Sequence, residues 1–264
     1  MTKLAVLGAS GRMGRAVVRL AKEAEMTLVL ALGADAVGQD AGELAGVGRA
    51  GVPVTSDVGA LAASGADVLI DFSSPAAFAA MVPVARAARV AIVSGTTGLG
   101  ADELALLDGA AADVPALWEP NMSVGVYVLG QLAALAARAL GDGFDVEIVE
   151  AHHHAKVDAP SGTALRLAER VKAAREGLEL VHGREGKPGP RKPRELGMHA
   201  LRGGDVIGDH TVHYLGEGER IELTHRASSR ELFARGAVRA AAWVSGKPAG
   251  RYGLSDVLAL GGAP

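Results

Sequence analysis

The sequence has no cysteine among its 264 residues, and this absence removes two classes of chemistry. A chain without thiols forms no disulfide bond and offers no thiolate ligand to a metal ion. Aromatic residues make up only 3% of the chain and are not interleaved with basic residues, as they are in proteins that stack on single-stranded nucleic acid. The lack of cysteine suits a reducing compartment, and we expect a cytoplasmic protein.

The sequence also lacks a strong charge excess and a secretion signal. A formal net charge of −3 gives no general attraction to nucleic acid or to an anionic membrane. The first residues, Met1-Thr-Lys-Leu, lead straight into a predicted strand, without the basic and apolar regions of a signal peptide. With 49% apolar and 22% charged residues, the chain is predicted to be a soluble globular protein of one large or two smaller domains.

One apolar run, Met122–Leu140, is long enough to be considered as a membrane span. Small and polar residues interrupt this run at Gly125, Gly130, Gln131 and Arg138. A membrane-spanning helix needs a less interrupted apolar stretch, so we predict a buried helix and no membrane contact.

The N-terminal segment has the pattern of a dinucleotide-binding turn. Leu4–Leu7 predicts a strand, and apolar residues at helical spacing from Ala16 to Ala21 predict a helix. Between them stands Gly8-x-x-Gly11-x-x-Gly14, whose glycines permit a tight turn and close approach of a pyrophosphate to the helix N-terminus. The alternative is a glycine-rich turn without a ligand.

The end of the second predicted strand, Thr27–Leu32, is where the ribose of a bound dinucleotide would be recognised. Only Asp35, slightly beyond the strand, offers a carboxylate for a ribose 2′-hydroxyl, and no arginine stands ready for a 2′-phosphate. Asp35 is therefore either a cofactor-binding residue or a plain loop residue. The choice between NADH and NADPH stays open.

Strand and helix patterns alternate through the first half of the chain. Ser74-Pro75 predicts the start of a helix, in which Pro83 should cause a kink. The loop Ser94–Gly98 either contacts the nicotinamide ribose or only turns the chain, and Glu119–Met122 forms the next loop at the same edge. Such alternation predicts a parallel, doubly wound sheet with these loops at its carboxyl edge. The further strands predicted are Val68–Phe72, Val90–Val93 and one ending at Leu117-Trp118.

After Ser123 the pattern changes to a long apolar helix and then to clustered strands. Val206–Tyr214 and Ile221–His225 alternate in polarity, and Gly216-Glu-Gly218 between them resembles a hairpin connection. Strands gathered in this way predict a second, mixed α+β domain.

Two further segments complete the second half. Gly183–Pro193 is a basic, proline-rich loop, most simply a solvated mobile loop, although it could close over an anionic substrate. From Glu231 a helix pattern returns, and Ser255 is predicted to cap a short last helix.

Titratable and anion-binding groups are most concentrated between Glu147 and Arg166. Alternation of apolar and acidic residues from Phe144 to Ile148 predicts a half-buried strand that ends at His152. Ser161 can cap the helix that follows. The backbone N–H groups of Gly162-Thr163 then lie in the first helical turn, where they attract carboxylates or phosphates.

Each of these features has a simpler reading. Three adjacent histidines could form a weak metal site, but neighbours in extended backbone point to opposite faces, and we expect no metal. Lys156 and Asp158 could be solvated loop charges, and Ser161-Gly162-Thr163 an ordinary helix cap. Their occurrence together within so few residues favours a functional site.

The segment His152-His153-x-x-Lys156-x-Asp158-Ala159-Pro160-Ser161-Gly162-Thr163-Ala164 resembles the signature of the dihydrodipicolinate reductase family of bacterial lysine biosynthesis. The resemblance extends over most of the chain. It continues through Gly8–Gly14, Asp40–Gly46, Gly95–Gly98, Asn121–Gly125 and Thr224–Arg230.

This resemblance implies a Rossmann-like dinucleotide-binding domain, residues 1–123 plus 231–264, and a substrate-binding and oligomerisation domain, residues 124–230. It implies reduction of 4-hydroxy-tetrahydrodipicolinate, a cyclic dicarboxylate, by NADH or NADPH, and a homotetramer built through the sheet of the second domain. Two rivals are another nicotinamide-dependent reductase of a small carboxylate and a redox-sensing module that binds the cofactor without turnover.

The resemblance also implies roles for individual residues. The catalytic pair would be His152, as the group that transfers a proton, and Lys156, which would stabilise developing negative charge. The substrate-binding residues would be His153, Ser161, Gly162 and Thr163. The cofactor-binding residues would be Gly8, Ala9, Ser10, Gly11, Arg12, Met13, Asp35, Gly95, Thr96, Thr97, Glu119, Pro120, Asn121 and Met122.

Overall fold

The computed structural model describes residues 1–260. Contacts between Cα atoms divide the chain into two compact units. The first contains Met1–Ser123 and the chain from Glu231 onward, and the second is Val124–Arg230. The second unit is therefore inserted, in sequence, into the first.

Regular elements follow one another closely along the chain. Up to residue 123 they are β1 (Lys3–Leu7), α1 (Arg12–Glu23), β2 (Thr27–Leu32), α2 (Ala41–Leu44), β3 (Val54–Thr55), β4 (Val68–Asp71), α3 (Pro75–Ala87), β5 (Ala91–Ser94), α4 (Ala101–Ala111) and β6 (Pro115–Trp118). Beyond it they are α5 (Val124–Leu140), β7 (Asp145–His152), α6 (Gly162–Ala174), β8 (Glu179–His182), β9 (Glu195–Arg202), β10 (Asp209–Leu215), β11 (Arg220–Arg226), α7 (Glu231–Val244), β12 (Gly250–Tyr252) and α8 (Leu254–Val257).

The first unit is built on a seven-stranded parallel sheet with the strand order β12-β6-β5-β4-β1-β2-β3. Helices α1 and α7 pack together on one face of the sheet, and α3 and α4 pack together on the other. Because both faces are covered, the strands are continuous apolar runs, as in Leu4–Leu7. The predicted Rossmann-like, doubly wound parallel sheet is confirmed.

Side chains of the central strands form the core of this unit. Leu69 of β4, Ile92 of β5 and Phe78 of α3 are each 1% exposed. Burial of a side chain of this size contributes about 1.5–3 kcal/mol. The carboxyl ends of β1, β4, β5 and β6 are thereby fixed, and the loops that follow them start from rigid positions.

Two local features differ from the sequence-based expectation, and a third, the kink expected at Pro83, stays a prediction. Strands β3 and β12, which are too short to show a periodic pattern, pair with β2 and β6 through their backbones at the sheet edges. Pro83 lies inside α3, which continues to Ala87. The predicted cap at Ser255 is wrong, because the N-cap of α8 is Gly253, whose N–H donates to Asp256 Oδ2 at 2.8 Å.

The second unit is a five-stranded mixed sheet with the order β11-β10-β7-β9-β8. Strand β10 is antiparallel to β7 and β11, whereas β9 is parallel to β7 and β8. Val146, Ile148, Val212 and Tyr214 project from one face of the sheet into a core formed with α5 and α6. The predicted mixed domain is confirmed, although β10 begins at Asp209 and not at Val206.

Helix α5, with the short turn that follows it, is by length and composition apolar enough to cross a membrane. Its residues Leu129, Ala133 and Ala137 are nevertheless buried in the core of the second unit. The hydroxyl of Tyr214, on β10, donates a hydrogen bond to the Ala133 carbonyl. One face of α5 therefore lies in this core, whereas the side chains of Val128, Leu132 and Leu135 on the same helix are exposed, so the predicted burial holds for that face only.

Candidate active site

The glycine turn lies at the carboxyl end of β1. Gly8 has a φ of +82°, and a Cβ on Gly8 would lie 2.4 Å from the Phe72 carbonyl oxygen. A Cβ on Gly14 would lie 2.1 Å from the Gly8 carbonyl oxygen. Gly11 caps α1 without a side-chain hydrogen bond, so this helix N-terminus keeps the form that binds a pyrophosphate. Of the other predicted residues here, Ala9 is buried, Ser10 and Met13 are partly exposed, and Arg12 is exposed.

Backbone hydrogen bonds hold this turn against the end of β2. The N–H groups of Gly8 and Ala9 both donate to the Leu32 carbonyl at 2.9 Å. Asp35 is exposed, three residues beyond Leu32. The structure therefore puts Asp35 in the loop where a ribose would be recognised in a fold of this class.

The buried carboxylate of Asp71 ties together the carboxyl-edge loops of the first unit. The Ser73 N–H donates to Oδ1 at 3.0 Å, and the hydroxyls of Ser94 and Thr96 donate to Oδ2 at 2.6 and 2.7 Å. The Trp118 indole donates to the Thr96 carbonyl at 2.9 Å. Burial raises the pKa of Asp71, although the hydrogen bonds from the hydroxyls oppose this rise. The Asp71 side chain thus joins the ends of β4 and β5, and Trp118 ties the end of β6 to the Thr96 backbone.

This arrangement limits what the loop after β5 can offer to a ligand. The hydroxyl of Thr96 donates to Asp71, whereas Thr97 is exposed. A Cβ on Gly95 would lie 2.2 Å from the Phe72 ring, so the glycine lets the loop pack on that ring. The backbone of Gly95 and Thr96 and the side chain of Thr97 are the groups suited to contact a cofactor.

The loop after β6 starts from the same edge, because the Glu119 N–H donates to the Ser94 carbonyl at 3.1 Å. The Ser123 N–H donates to the side-chain oxygen of Asn121 at 2.9 Å, which shapes the turn into α5. Of the four predicted residues, Glu119, Pro120 and Asn121 are partly exposed and Met122 is buried.

In the second unit, Glu150 is the centre of a hydrogen-bond network. Its carboxylate is fully buried and accepts from His152 Nδ1 at 2.6 Å and from the Ser161 N–H at 3.0 Å. Arg202 adds two parallel bonds of 2.8 Å each. Burial disfavours the charged form of Glu150, but these hydrogen bonds outweigh burial and lower its pKa. An ionised carboxylate thus links His152 to the start of α6.

His152 lies at the end of β7 with 8% of its surface exposed. The His210 ring packs edge-on against the His152 ring, with centroids 5.2 Å apart at an angle of 78°. His210 Nε2 lies 3.1 Å from the Ser161 hydroxyl. Burial, with the charge of His152 as a smaller cause, lowers the pKa of His210 to about 4, so His210 is neutral near pH 7.

Lys156 lies in the turn that follows β7. Its ammonium donates to Asp158 Oδ1 at 2.7 Å, and its N–H donates to the His153 carbonyl at 3.1 Å. The hydrogen bond from Lys156 lowers the pKa of Asp158. Arg202 Nη2 donates to the Asp158 carbonyl at 2.6 Å, so the arginine that binds Glu150 also anchors this turn.

The three adjacent histidines have different partners. His153 Nε2 accepts from Arg230 Nη2 at 3.2 Å, and burial followed by the Arg230 charge lowers the pKa of His153. His154 is exposed and donates from Nδ1 to the Gly204 carbonyl at 2.9 Å. Within residues 1–260, no group of three or more His, Asp or Glu side chains is arranged to hold a metal ion.

The N-terminus of α6 is capped by Ser161, whose hydroxyl accepts from the Ala164 N–H at 3.2 Å. Gly162 is exposed, and apart from its chain neighbours and the backbone of its own helix, no described atom lies within 4 Å of where its Cβ would be. Its φ is not positive, so neither packing nor backbone conformation requires glycine here. Thr163 is half-buried in the same turn. Open space beside a helix N-terminus is what a bound anion needs.

The basic loop does not belong to this network. Arg184 forms two hydrogen bonds with Glu147, of 2.8 and 2.9 Å, and Arg191 Nε adds a third at 3.0 Å. His199 Nε2 lies 2.7 Å from the same carboxylate. Glu147 and Glu150 are three residues apart on β7 and therefore project from opposite faces of the sheet. The two arginines fasten the loop to the face opposite α5 and α6.

The sequence pattern predicts a functional role for some residues of this network and gives no indication of the others. Glu150 lies within the concentrated stretch, and its spacing of two from His152 gives a signal that it shares a face with that ring. Arg202, His210 and Asp71 carry no such signal, because each has partners that lie many residues away in the sequence. Only the register of β9, β10 and β5 brings them to their partners.

Two family models match the chain. The model described as "Dihydrodipicolinate reductase, N-terminus" covers residues 2–122, and that described as "Dihydrodipicolinate reductase, C-terminus" covers residues 125–258. The boundary between them coincides with the start of α5.

Similar proteins agree with these matches. The 4-hydroxy-tetrahydrodipicolinate reductase of Alkalilimnicola ehrlichii is 53% identical over 98% of this chain and 99% of its own. That of Anaeromyxobacter dehalogenans is 52% identical over 99% of both chains. Among solved structures, dipicolinate-bound dihydrodipicolinate reductase from Paenisporosarcina sp. TG-14 has a TM-score of 0.78 at 26% identity, over 96% of this chain and 97% of that one.

Proposed function

The chain belongs to the dihydrodipicolinate reductase family, and from this membership we infer that it reduces 4-hydroxy-tetrahydrodipicolinate to tetrahydrodipicolinate in the diaminopimelate route to lysine. The reaction consumes one substrate molecule, one NADH or NADPH and one proton. It yields tetrahydrodipicolinate, the oxidised nicotinamide and one water.

The observation that carries this proposal in the structure is the link between His152 and the N-terminus of α6. Glu150 binds the His152 ring at 2.6 Å and the Ser161 N–H at 3.0 Å, so a proton donor and an anion site are held by the same carboxylate. Lys156 lies in the turn between them. A cyclic dicarboxylate that must accept a proton needs these groups close together.

His152 is the proposed proton donor. Loss of water from the substrate gives a carbon–carbon double bond conjugated with an imine, and addition of hydride leaves an electron pair on the ring. A proton must satisfy that pair, and the imidazole side chain is the commonest general acid in proteins. Since Nδ1 of this ring is bound to Glu150, Nε2 is the ring nitrogen that faces away from that carboxylate.

Lys156 is proposed to stabilise the negative charge that develops on the substrate. Its present partner, Asp158, is exposed, so a substrate carboxylate can replace it at little cost. His153, Gly162 and Thr163 are proposed to bind the substrate carboxylates through the imidazole and the first N–H groups of α6. The polar atoms of Ser161 are engaged with Glu150, Ala164 and His210, so this serine acts by shaping the site.

The first unit is proposed to hold the nicotinamide cofactor, which supplies the hydride when bound. The fit rests on the glycine turn, where a Cβ on Gly8 or Gly14 would collide with backbone and where α1 has no side-chain cap. Asp35 is proposed to read the ribose. The end of β2 carries neither a guanidinium for a 2′-phosphate nor a carboxylate that would repel one. We therefore propose both NADH and NADPH as cofactors.

Three further properties are proposed from family membership. Residues 1–123 plus 231–264 form the dinucleotide-binding domain, and residues 124–230 bind substrate and form the contacts of a homotetramer. The face of the second sheet opposite α5 and α6, to which the basic loop is fastened at Glu147, is the proposed contact surface, and light scattering on the purified chain tests the assembly. The compartment is proposed to be the cytoplasm.

The test of the function is an assay with freshly generated substrate and each nicotinamide in turn, monitored by nicotinamide absorbance. Oxidation should require the substrate, and it should be absent when a panel of other small carboxylates replaces it. Turnover of another carboxylate with no activity on 4-hydroxy-tetrahydrodipicolinate would contradict the proposal.

A further inference from the structure

We propose that Glu150 is a positioning residue for His152, fixing the tautomer that leaves Nε2 to deliver the proton, and that Gly208 keeps the space in front of Nε2 open. The inference rests on the proposed function only in taking His152 as the proton donor. The orientation of the ring is measurable without turnover.

The strand register explains why Glu150 and His152 meet. Residues two apart on β7 project from the same face, so the carboxylate lies directly behind the imidazole. Arg202 is opposite His152 in the pairing of β7 with β9, and its guanidinium reaches back to Glu150. His210 is opposite Glu150 in the pairing of β7 with β10 and packs edge-on against His152.

The hydrogen bonds of Glu150 leave one tautomer for His152. Oε1 accepts from the Ser161 N–H and from Arg202 Nη2, while Oε2 accepts from Arg202 Nη1 and from His152 Nδ1. An ionised carboxylate only accepts hydrogen bonds, so Nδ1 must carry a hydrogen in both the neutral and the protonated ring. The proton that His152 can release is therefore the one on Nε2.

Gly208 supplies the second observation. A Cβ on Gly208 would lie 3.0 Å from His152 Nε2, 3.4 Å from His152 Cδ2 and 3.7 Å from His210 Cε1. The φ of Gly208 is not positive, so the backbone does not demand glycine. The atoms that a methyl group would crowd belong to the catalytic imidazole and its neighbour. Because Gly208 has no side chain, this residue does not crowd Nε2.

His152 donates one proton to the substrate ring in each turnover. The doubly protonated His152 gives its Nε2 proton to the ring carbon that holds the electron pair after hydride addition, and a new carbon–hydrogen bond forms. The imidazole is left neutral with its remaining hydrogen on Nδ1, still donated to Glu150. Water returns a proton to Nε2 for the next turnover.

The first arm of the test is nitrogen-15 NMR of the full chain labelled at histidine, without ligands and at a pH that deprotonates the ring. The His152 signals are assigned by their loss in His152→Gln. The expected result is the Nδ1–H tautomer in the wild type and a mixture of tautomers in Glu150→Gln, whose amide cannot accept all four donors. An Nε2–H tautomer in the wild type, or an unchanged tautomer in Glu150→Gln, would overturn the proposal.

The second arm is kinetic and uses Gly208→Ala, with Gly203→Ala as its matched control. No described atom lies within 4 Å of a Cβ on Gly203, and its φ is not positive. Gly208→Ala should lower kcat by about tenfold or more, with normal cofactor binding and melting temperature, since it obstructs a group whose contribution is about 100-fold or more. Gly203→Ala should stay within about twofold of the wild type.

The two claims fail in different ways. Wild-type kcat in Gly208→Ala would remove the access role of that glycine and overturn the inference. Wild-type kcat in His152→Gln would instead overturn the proposed proton donor, while the measured tautomer would still report whether Glu150 orients the ring.

Discussion

Glu147→Gln tests the reading of β7 as a strand with two different faces. The substitution keeps the shape of the side chain and removes the charge that binds Arg184, Arg191 and His199. Because Glu147 projects from the face opposite Glu150, the variant should lose stability in the second unit and keep its kcat. A matched Glu150→Gln variant should lose kcat.

The magnitude follows from the pKa of Glu147. Burial resists its ionisation, but hydrogen bonds led by those of Arg184 outweigh burial and lower the pKa from 4.5 to about 2. At 1.36 kcal/mol per pH unit this gap corresponds to about 3.4 kcal/mol. The Arg184 side chain is 31% exposed, so water screens part of the interaction, and we expect a loss of about 1–3 kcal/mol in Glu147→Gln.

The sign of the pH dependence is fixed by the direction of this pKa change. A carboxyl group with a lowered pKa in the folded chain stabilises it fully above pH 4.5 and loses that contribution as the pH falls toward 2. Thermal unfolding of wild type and Glu147→Gln should therefore differ most at pH 7 and converge below pH 4.5. Equal melting temperatures at pH 7, or a kcat lowered as far as in Glu150→Gln, would refute the assignment of Glu147 and the basic loop to stability.

Three predictions concern the reaction itself. His152→Gln should lower kcat by about 100-fold or more, in the range of general acid catalysis, while a titration shows normal cofactor binding; an unchanged kcat would remove His152 from the mechanism. KM values for NADH and NADPH should differ by less than about tenfold, or 1.4 kcal/mol, and a larger gap would show that another residue reads the 2′ position. Gly162→Pro should fold, because Ser161 has φ −66° and ψ 151°, which suit a residue before proline. Thr163→Val should lose a hydrogen bond to a charged partner, and both variants should raise substrate KM by about tenfold or more at normal melting temperature. Normal KM with lowered stability would leave this segment as a helix cap only.

The parts of the fold that were predictable are those whose cause is local. Apolar runs predict the central parallel strands, and period-two alternation predicts β7. The oxygen of Ser161 predicts the start of α6 because capping chemistry involves only the next three residues. Short edge strands such as β3 and β12 have no local cause, since backbone pairing with an existing strand creates them.

The candidate site divides in the same way. His152, Lys156 and Gly162 are close together in sequence, and their spacing indicates a functional site. Arg202 joins that site through hydrogen bonds to Glu150 that span 52 residues, and only the pairing of β7 with β9 reveals them. The sequence pattern of a strand does not predict which residue on another strand will bind a charged side chain.

The role of the basic loop in the structure differs from the two roles that its charge pattern predicts. A run of arginines with prolines and glycines is typical of a solvated loop or of a cover for an anion. In the structure, Arg184 and Arg191 are neutralised by Glu147, a nearly buried carboxylate that the strand pattern alone would assign to a solvent-facing position. The partner decides the role of such a loop, and the partner is distant in sequence.

The most direct test of the central claim is transfer of deuterium to the substrate ring from a reduced nicotinamide that carries deuterium in place of both hydrogens at the reactive carbon. The account predicts that wild-type protein yields tetrahydrodipicolinate carrying one deuterium on a ring carbon, as measured by mass spectrometry. His152→Gln should form the same labelled product far more slowly. Product without deuterium, or labelled cofactor that binds and is never oxidised in the presence of fresh substrate, would contradict the assignment of this chain as a hydride-transferring reductase.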